Sequence, residues 1–291
     1  MTKKILVTGA NGLIGRELLP YLVSKGHQVV AIDNCSRFPN YTNSSVIKIS
    51  VEEYLKKSDI AFDYIYHLAA INGTSNFYQR PLEVIENNTL CDLSVFKYAR
   101  IHHCKIIYAS SSEIVTDTEN IPTKEETDIT IKDIHNPRWS YRLSKLISEN
   151  YLSNSDLNYS IIRFFNLFSE HSGKGHFVFD IIEKIKNKNF ELEGANETRS
   201  FCYVRDVVPA IVQVGEKVNR DIINIGGDDE IKIKDAADLI CKRLNVVPDW
   251  KYRNSGNGSA KRRCPDLSKL KNILPEYSPR KFEEIIECME I

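Results

Sequence analysis

The run Lys3-Lys4-Ile5-Leu6-Val7-Thr8-Gly9-Ala10-Asn11-Gly12-Leu13-Ile14-Gly15 limits what this chain can fold into more than any other segment. A short apolar stretch stops at a glycine, and two more glycines follow at three-residue spacing. A helix-period pattern then begins with Leu13, Ile14, Leu18, Leu19, Leu22 and Val23. A strand passing through a glycine turn into a helix points backbone N–H groups and the positive helix end at one spot, a seat for a pyrophosphate. Gly9, Asn11, Gly12, Leu13 and Ile14 would supply that seat. Glycine is needed because a Cβ would block the tight turn and hold the phosphate off the backbone.

The next apolar run, Gln28-Val29-Val30-Ala31-Ile32, ends at Asp33, with Asn34 beside it. A carboxylate about 20 residues beyond such a turn can accept hydrogen bonds from an adenosine ribose. It would repel a 2′-phosphate, so NAD is expected over NADP; Arg37 nearby weakens that preference.

Strand-like and helix-like segments alternate almost throughout. Strands are expected at 3–8, 28–32, 46–50, 63–68, 105–110 and 159–163, and helices at 12–25, 81–102 and 137–152. Such alternation predicts a Rossmann-type α/β fold, a doubly wound parallel sheet. Pro20 should kink or shorten the first helix. After Arg163 the loops lengthen, with helices near 177–187, 205–217, 234–245 and 280–290 and a strand near 199–204. The division expected is a nucleotide domain over 1–165, which also receives a segment near 205–225, and a smaller substrate domain over 166–291.

Lys+Arg and Asp+Glu are equal at 39 each, so no global field draws in nucleic acid or an anionic membrane. Any anion must be held by local groups. The 7 cysteines are scattered with no Cys-x-x-Cys pair, which argues against a disulfide framework or a zinc site. A reducing cytoplasm is expected, with no metal. The apolar run after the N-terminal lysines is too short for a signal peptide, and no stretch is long enough to span a membrane.

Two segments carry chemistry. In Trp139-Ser140-Tyr141-Arg142-Leu143-Ser144-Lys145, one helical turn puts Tyr141 and Lys145 on the same face. A tyrosine titrates near 10, and a close ammonium depresses it by about 1–3 units. With a cationic nicotinamide ring adding its field, a phenolate able to take a proton from a sugar hydroxyl is expected. In Lys105-Ile106-Ile107-Tyr108-Ala109-Ser110-Ser111-Ser112-Glu113, a strand runs into a hydroxyl cluster at the carboxyl edge of the sheet, where one hydroxyl could hold the substrate oxygen.

The glycine turn, His67-Leu68-Ala69-Ala70, the serine run, Tyr141 and Lys145 together resemble an extended short-chain dehydrogenase, and more narrowly the NAD-dependent nucleotide-sugar epimerase/dehydratase family. The resemblance continues through Asn88, Arg163-Phe164-Phe165-Asn166, Thr198-Arg199-Ser200-Phe201, Asn224-Ile225-Gly226 and Arg262-Arg263-Cys264-Pro265-Asp266. It implies Ser111 as the catalytic hydroxyl, with Ser112 as the nearest alternative and otherwise a substrate contact, Tyr141 as base, and Lys145 as its partner and a ligand of the nicotinamide ribose. Leu68, Ala69, Ala70 and Asn88 would line the cofactor, and Asn166 would touch the sugar or its phosphates. Arg199 and Arg263 would clamp the nucleotide diphosphate, a task suited to a forked guanidinium. A homodimer through helices near 81–102 and 137–152 is also implied. Two departures stand out: Val115-Thr116 where the family has Tyr-Gly, and Ser169-Glu170-His171 where it has Gly-Pro-Arg.

The implied first step removes the C4 hydrogen of a nucleotide sugar as hydride onto NAD. A 4-epimerase of a nucleotide-diphosphate hexose needs the fewest further groups and is the leading expectation. A 4,6-dehydratase would carry an Asp-Glu pair after the hydroxyl, where Ser112-Glu113 stands. A uronate decarboxylase carries Thr-Ser-Glu, close to Ser111-Ser112-Glu113, with Glu113 then a catalytic carboxyl. A C4 dehydrogenase is a further alternative. A non-catalytic dinucleotide-binding module would have lost Tyr141, Lys145 or the serine; all are present.

Overall fold

Apolar runs punctuated by glycine and polar turns become parallel strands, and the amphipathic segments between them become crossover helices. The computed structural model describes residues 1–39, 43–115, 118–256 and 259–290. The first part comprises β1 (Lys4–Thr8), α1 (Gly15–Ser24), β2 (Gln28–Asp33), β3 (Val46–Lys48), α2 (Val51–Lys57), β4 (Tyr64–His67), α3 (Thr74–Gln79), α4 (Pro81–His102), β5 (Lys105–Ser111), α5 (Trp139–Ser153) and β6 (Tyr159–Phe164). The rest adds β7 (Leu167–Phe168), α6 (Phe177–Lys186), β8 (Glu191–Glu193), β9 (Thr198–Ser200), β10 (Cys202–Tyr203), α7 (Val204–Lys217), β11 (Asp221–Ile225), β12 (Glu230–Lys232), α8 (Ile233–Arg243), β13 (Lys251–Arg253), β14 (Arg262–Arg263), α9 (Ser268–Ile273) and α10 (Phe282–Cys288).

Seven strands form one sheet in the order β11-β6-β5-β4-β1-β2-β3, and every pairing in it is parallel. This is the Rossmann-type arrangement expected from the alternating pattern. Successive residues of a strand face opposite sides. Ile5 and Val7 therefore join Leu18 and Leu22 of α1 and Val207 and Ile211 of α7. Leu6 joins Val95 and Phe96 of α4 and Leu152 of α5 on the other face. Each such leucine or valine, fully buried, contributes about 1.5–3 kcal/mol. The seventh strand, β11, comes from beyond residue 165 and pairs with β6 from Asp221↔Ser160 to Ile225↔Phe164.

Helix α1 begins at Gly15 rather than 12, because Gly12 N–H donates to Gly9 carbonyl at 2.9 Å and closes a turn first. It continues past Pro20, giving up one backbone bond. The strand expected near 199–204 is two strands that serve different partners: β9 lies between β12 and β14, and β10 pairs with β7. A third core, built on Phe168, Phe201, Tyr203 and Phe282, gathers α6, α8 and α10. Short helices α2 and α3 were not expected from the sequence; α3 matters because it carries Phe77 to the site.

Candidate active site

The parallel strands all end at one edge, and a cleft of about 1810 Å³ lies along it. A volume near the top of the range for small-molecule pockets, or above it, suits a long ligand or two ligands together. At its floor, Gly9 adopts φ +68, and a Cβ there would stand 2.7 Å from Ala69 N. A Cβ on Gly15 would stand 2.6 Å from the carbonyl oxygens of Gly9 and Ala10. Helix α1 opens at Ile14 with no side chain capping its first N–H groups, which leaves those donors for an anion. The Asp33 carboxylate accepts from Asn11 N–H at 3.0 Å and Cys35 N–H at 2.6 Å, so it is fixed at the end of β2. Leu68, Ala69 and Ala70 line the same cleft. These features fit a dinucleotide: an open helix end for the pyrophosphate, a close-packed glycine floor and a held carboxylate for the ribose.

Three residues of this half sit differently from expectation. The Asn34 side chain accepts from Ser36 N–H at 3.0 Å and shapes its own turn. Asn88 accepts from Ile71 N–H at 2.7 Å and donates to Ile71 carbonyl at 3.1 Å, so it pins the segment after β4. Arg37 turns away from the ribose carboxylate to His176, with 2.6 Å between Nη2 and Nε2. Burial and then Arg37 push that imidazole down to about 4, so it is a neutral acceptor.

Further along the edge, Ser111 and Tyr141 both line the cleft, and the Ser111 side chain favours the Tyr141 phenolate. The Tyr141 ring stacks on Phe77, centroids 4.7 Å apart at 15°. Ser110 donates to Glu149 at 2.5 Å, which leaves Ser111 and Ser112 as the hydroxyls free to serve the cleft. Two expectations change here. Lys145 Nζ donates to the Tyr108 hydroxyl at 3.1 Å, not to Tyr141. Burial raises the Tyr141 phenol well above its ordinary value, with Glu113 and Asp92 pushing the same way; Ser111 and Arg37 oppose it. The side chains alone therefore hold a phenol, and ionising it needs a further positive charge beside the ring.

Glu113, expected as a catalytic carboxyl, is instead bound by arginines. Arg138 donates Nε to Oε2 at 2.8 Å and Nη2 to Oε1 at 2.6 Å. Arg142 Nε reaches Oε2 at 3.4 Å, and Arg263 Nη1 lies 2.9 Å from Oε1. Burial would push this carboxyl up, but Arg263, Arg138 and Arg142 outweigh it and hold it well below the ordinary range. A carboxylate so held is a poor proton donor. Arg263 keeps a buried Nε with no hydrogen-bond partner among the described residues, and burial draws its pKa down to about 10 despite Glu113. Arg199 stands beside it in the β9–β14 pairing, held by Glu197 at 2.9 Å and Ser259 at 3.0 Å. Asn166, at φ +42, donates to Ser200 carbonyl at 3.1 Å and lines the cleft. Ser112 is buried and also lines it.

Of the two departures, Val115 and the loop Ser169-Glu170-His171 are not among the residues lining the cleft. Val115 packs with Ile114 and Phe165, and Thr116 lies outside the described residues. Glu170 and His171 tie their loop to Tyr203, Arg205 and Glu17. Sequence reasoning passed over Phe77, Arg138 and Arg142. The last two had a visible signal: Arg138, Tyr141, Arg142 and Lys145 share one helical face by their spacing. Phe77 had none.

Residues 5–226 match the model of the NAD dependent epimerase/dehydratase family, and the chain belongs to that family. Its cofactor is NAD, and its activity is that of an NAD-dependent epimerase/dehydratase. Among curated relatives, a UDP-N-acetyl-alpha-D-glucosaminuronate decarboxylase of Bacillus cytotoxicus is 30% identical, covering 94% of this chain and 92% of that protein. A UDP-glucuronic acid decarboxylase 1 of Xenopus tropicalis is 28% identical over 94% of this chain and 68% of its own length. Among solved structures, a UDP-N-acetylglucosamine 4-epimerase of Methanobrevibacter ruminantium, in complex with UDP-N-acetylmuramic acid, superposes with TM-score 0.85 at 27% identity. The match covers 98% of this chain and 96% of that one. Among the described residues no helix is long and apolar enough to cross a membrane.

Proposed function

We propose that the protein oxidises a nucleotide-diphosphate sugar at C4 and that this sugar carries a carboxylate at C6. The Arg263 side chain carries the second part of this reading: a buried guanidinium in the reaction cleft, only partly satisfied by Glu113, with Nε left over. A forked cation of this kind suits a carboxylate or a phosphate. Arg199 is its neighbour for the diphosphate, and Asn166 reaches the same stretch of cleft.

In the first step Tyr141, as phenolate, takes the proton of the C4 hydroxyl while Ser111 holds the same oxygen. NAD, held by the turn from Gly9 to Ile14 and by Asp33, would supply the hydride acceptor for the C4 hydrogen. A C4 ketone results. With a C6 carboxylate present, loss of carbon dioxide leaves its electron pair on C5, where the ketone delocalises it; a proton from water then adds at C5, and Tyr141 would return its proton to the C4 oxygen as the carbonyl is reduced again. None of this asks Glu113 to move a proton. Dehydration across C5 and C6 would ask for an acid beside the leaving hydroxyl, and the arginine-bound Glu113 does not supply one. Epimerisation at C4 of a neutral hexose remains the second reading, because the Ser111–Tyr141 pair suffices for it.

Purified protein incubated with a panel of nucleotide sugars and followed by mass and NMR spectra tests both readings. The expected product from a nucleotide hexuronate has lost one carbon dioxide. Turnover of neutral hexoses alone, with unchanged mass, would establish the second reading instead.

The working unit in this proposal is a cytoplasmic homodimer. Its support is the set of exposed apolar residues on α4 and α5, Leu82, Leu90 and Ile147, and the seven unpaired thiols; sedimentation equilibrium checks the stoichiometry. The sugar-binding part is assigned to 166–291 and the nucleotide part to 1–165 with 205–225 added.

A further inference from the structure

Behind the catalytic helix lies a chain of buried polar contacts that the reaction as written does not use. Thr8 Oγ1 and His67 Nδ1 are 2.7 Å apart. His67 Nε2 is 2.8 Å from Asp92 Oδ1. Asp92 Oδ2 accepts from the Tyr108 hydroxyl at 2.5 Å and from Ser148 Oγ at 2.6 Å. Lys145 Nζ donates to the Tyr108 oxygen and lies 4.6 Å from the centre of its ring. None of these six residues is more than 2% exposed. The chain runs without a break from the residue before the glycine turn to the ammonium of α5.

The fold fixes every link. Thr8 and His67 face each other in the β1–β4 register, and His67 and Tyr108 in the β4–β5 register. Asp92 sits on α4, one turn beyond Asn88, and the α4–α5 packing brings Ser148 to it. A carboxylate buried this deeply is very costly unless paired and hydrogen bonded. Burial opposes its ionisation, yet Lys145 and His67 hold it below the usual carboxylate range. It is therefore a fixed negative charge a few side chains from the reacting phenol.

We infer that Asp92 is a positioning residue of the reaction: through the Tyr108 hydroxyl it anchors Lys145, and its charge sets how readily Tyr141 gives up its proton. This rests on the reading of Tyr141 as the base. The groups facing Asp92 are His67 from β4, Tyr108 from β5, Lys145 and Ser148 from α5, and its neighbour Cys91 on α4. The charges and polar groups that act on Tyr141 are Ser111 and Glu113 after β5, Arg37 after β2, Tyr108 of β5 and, at longer range, Asp92 of α4. Among them Asp92 disfavours the phenolate, so removing its charge should ease ionisation.

Asp92→Asn isolates the charge. Its amide oxygen can still accept from Tyr108 and Ser148. Its NH2 can donate to His67 Nε2 if the imidazole proton moves to Nδ1 and points at Thr8 Oγ1, an oxygen able to accept it. The experiment is a phenolate absorbance titration of the NAD-loaded protein. A Tyr141→Phe spectrum in the same background is subtracted, removing the chain's other tyrosines. Asp92→Asn should move the Tyr141 step down by about one pH unit, the size of a unit charge's field across about 12 Å at an effective dielectric constant near 20. Asp92→Thr, a second neutral variant, should move it the same way. Ser148→Ala removes one hydrogen bond and no charge, and should leave the step in place.

An unmoved step in both neutral variants overturns the inference. So does an equal shift in Ser148→Ala, or the lack of any Tyr141-dependent step in all proteins. The titration needs no substrate. Should the step move as expected while no nucleotide sugar is turned over, the proposed reaction fails and the electrostatic role of Asp92 stands.

Discussion

The two ends of the cleft are made of different material. The cofactor end is mostly backbone: turn amides, an uncapped helix start, and a glycine floor against Ala69 with no room for a Cβ. The end proposed for the sugar is mostly side chain: Arg138 just before α5, Arg142 within it, Arg199 from β9 and Arg263 from β14, gathered about Glu113. A backbone site is fixed once its strands and helix form, because its donors have no rotamers to order. A side-chain site is fixed only by neighbours that hold each rotamer, and it can be retuned one residue at a time. That difference explains how one scaffold can keep its first oxidation step while the sugar changes.

The largest expected effect lies where the two ends meet. Tyr141→Phe should lower kcat by about 10²–10⁴ or more, since it removes the proton acceptor, while NAD binding by calorimetry stays unchanged. Substantial residual turnover would break the division of labour drawn above. Next comes Glu113→Ala, which strands the guanidiniums of Arg138 and Arg263 in a buried place. Breaking a buried pair costs about 3–5 kcal/mol, so thermal unfolding should show a loss of stability larger than any change in NAD affinity. Arg263→Ala removes the proposed carboxylate contact and should cost about 2–5 kcal/mol in kcat/KM for an acidic sugar. Neutral nucleotide sugars should be nearly unaffected, and equal losses for both would refute the substrate assignment. Asp33→Ala should weaken NAD by about ten- to a hundredfold, the loss of hydrogen bonds to a charged group, with binding of the nucleotide sugar unchanged.

The smallest effect is a pH dependence. Glu113 titrates well below the ordinary value of 4.5 in the folded protein. The stability this gives is whole above pH 4.5 and drains away as pH falls toward the lower folded value. Chemical denaturation from pH 7 down to acid should therefore lose less stability in Glu113→Gln than in the wild-type chain.

The sequence made the cofactor end legible nearly residue by residue. Glycine spacing, the apolar strand before it and Asp33 at the next strand end are local signals, since the groups concerned lie within one strand–helix–strand unit. Tyr141 and Ser111 could be paired because each motif sits at the end of a regular element whose direction the pattern gives. Glu113 misled for a local reason: its position beside the hydroxyl is visible, but the arginines that neutralise it come from α5 and β14. Lys145 misled similarly. Spacing places it on the face of Tyr141, while Tyr108 and Asp92, supplied by β5 and α4, decide where its ammonium goes. Asn88 is a third case, its amide consumed by the backbone of Ile71.

The amino-acid order alone therefore determined the parallel α/β layering and the glycine turn at the sheet edge, with Ser111 and Tyr141 near the ends of regular elements, because periodicity and turn chemistry act over a few residues. The burial of Asp92, the capture of Glu113 and the leftover nitrogen of Arg263 were decided only by the tertiary structure. Their charges depend on groups distant along the chain, and an electrostatic environment exists only once those groups have been packed together and the water between them removed.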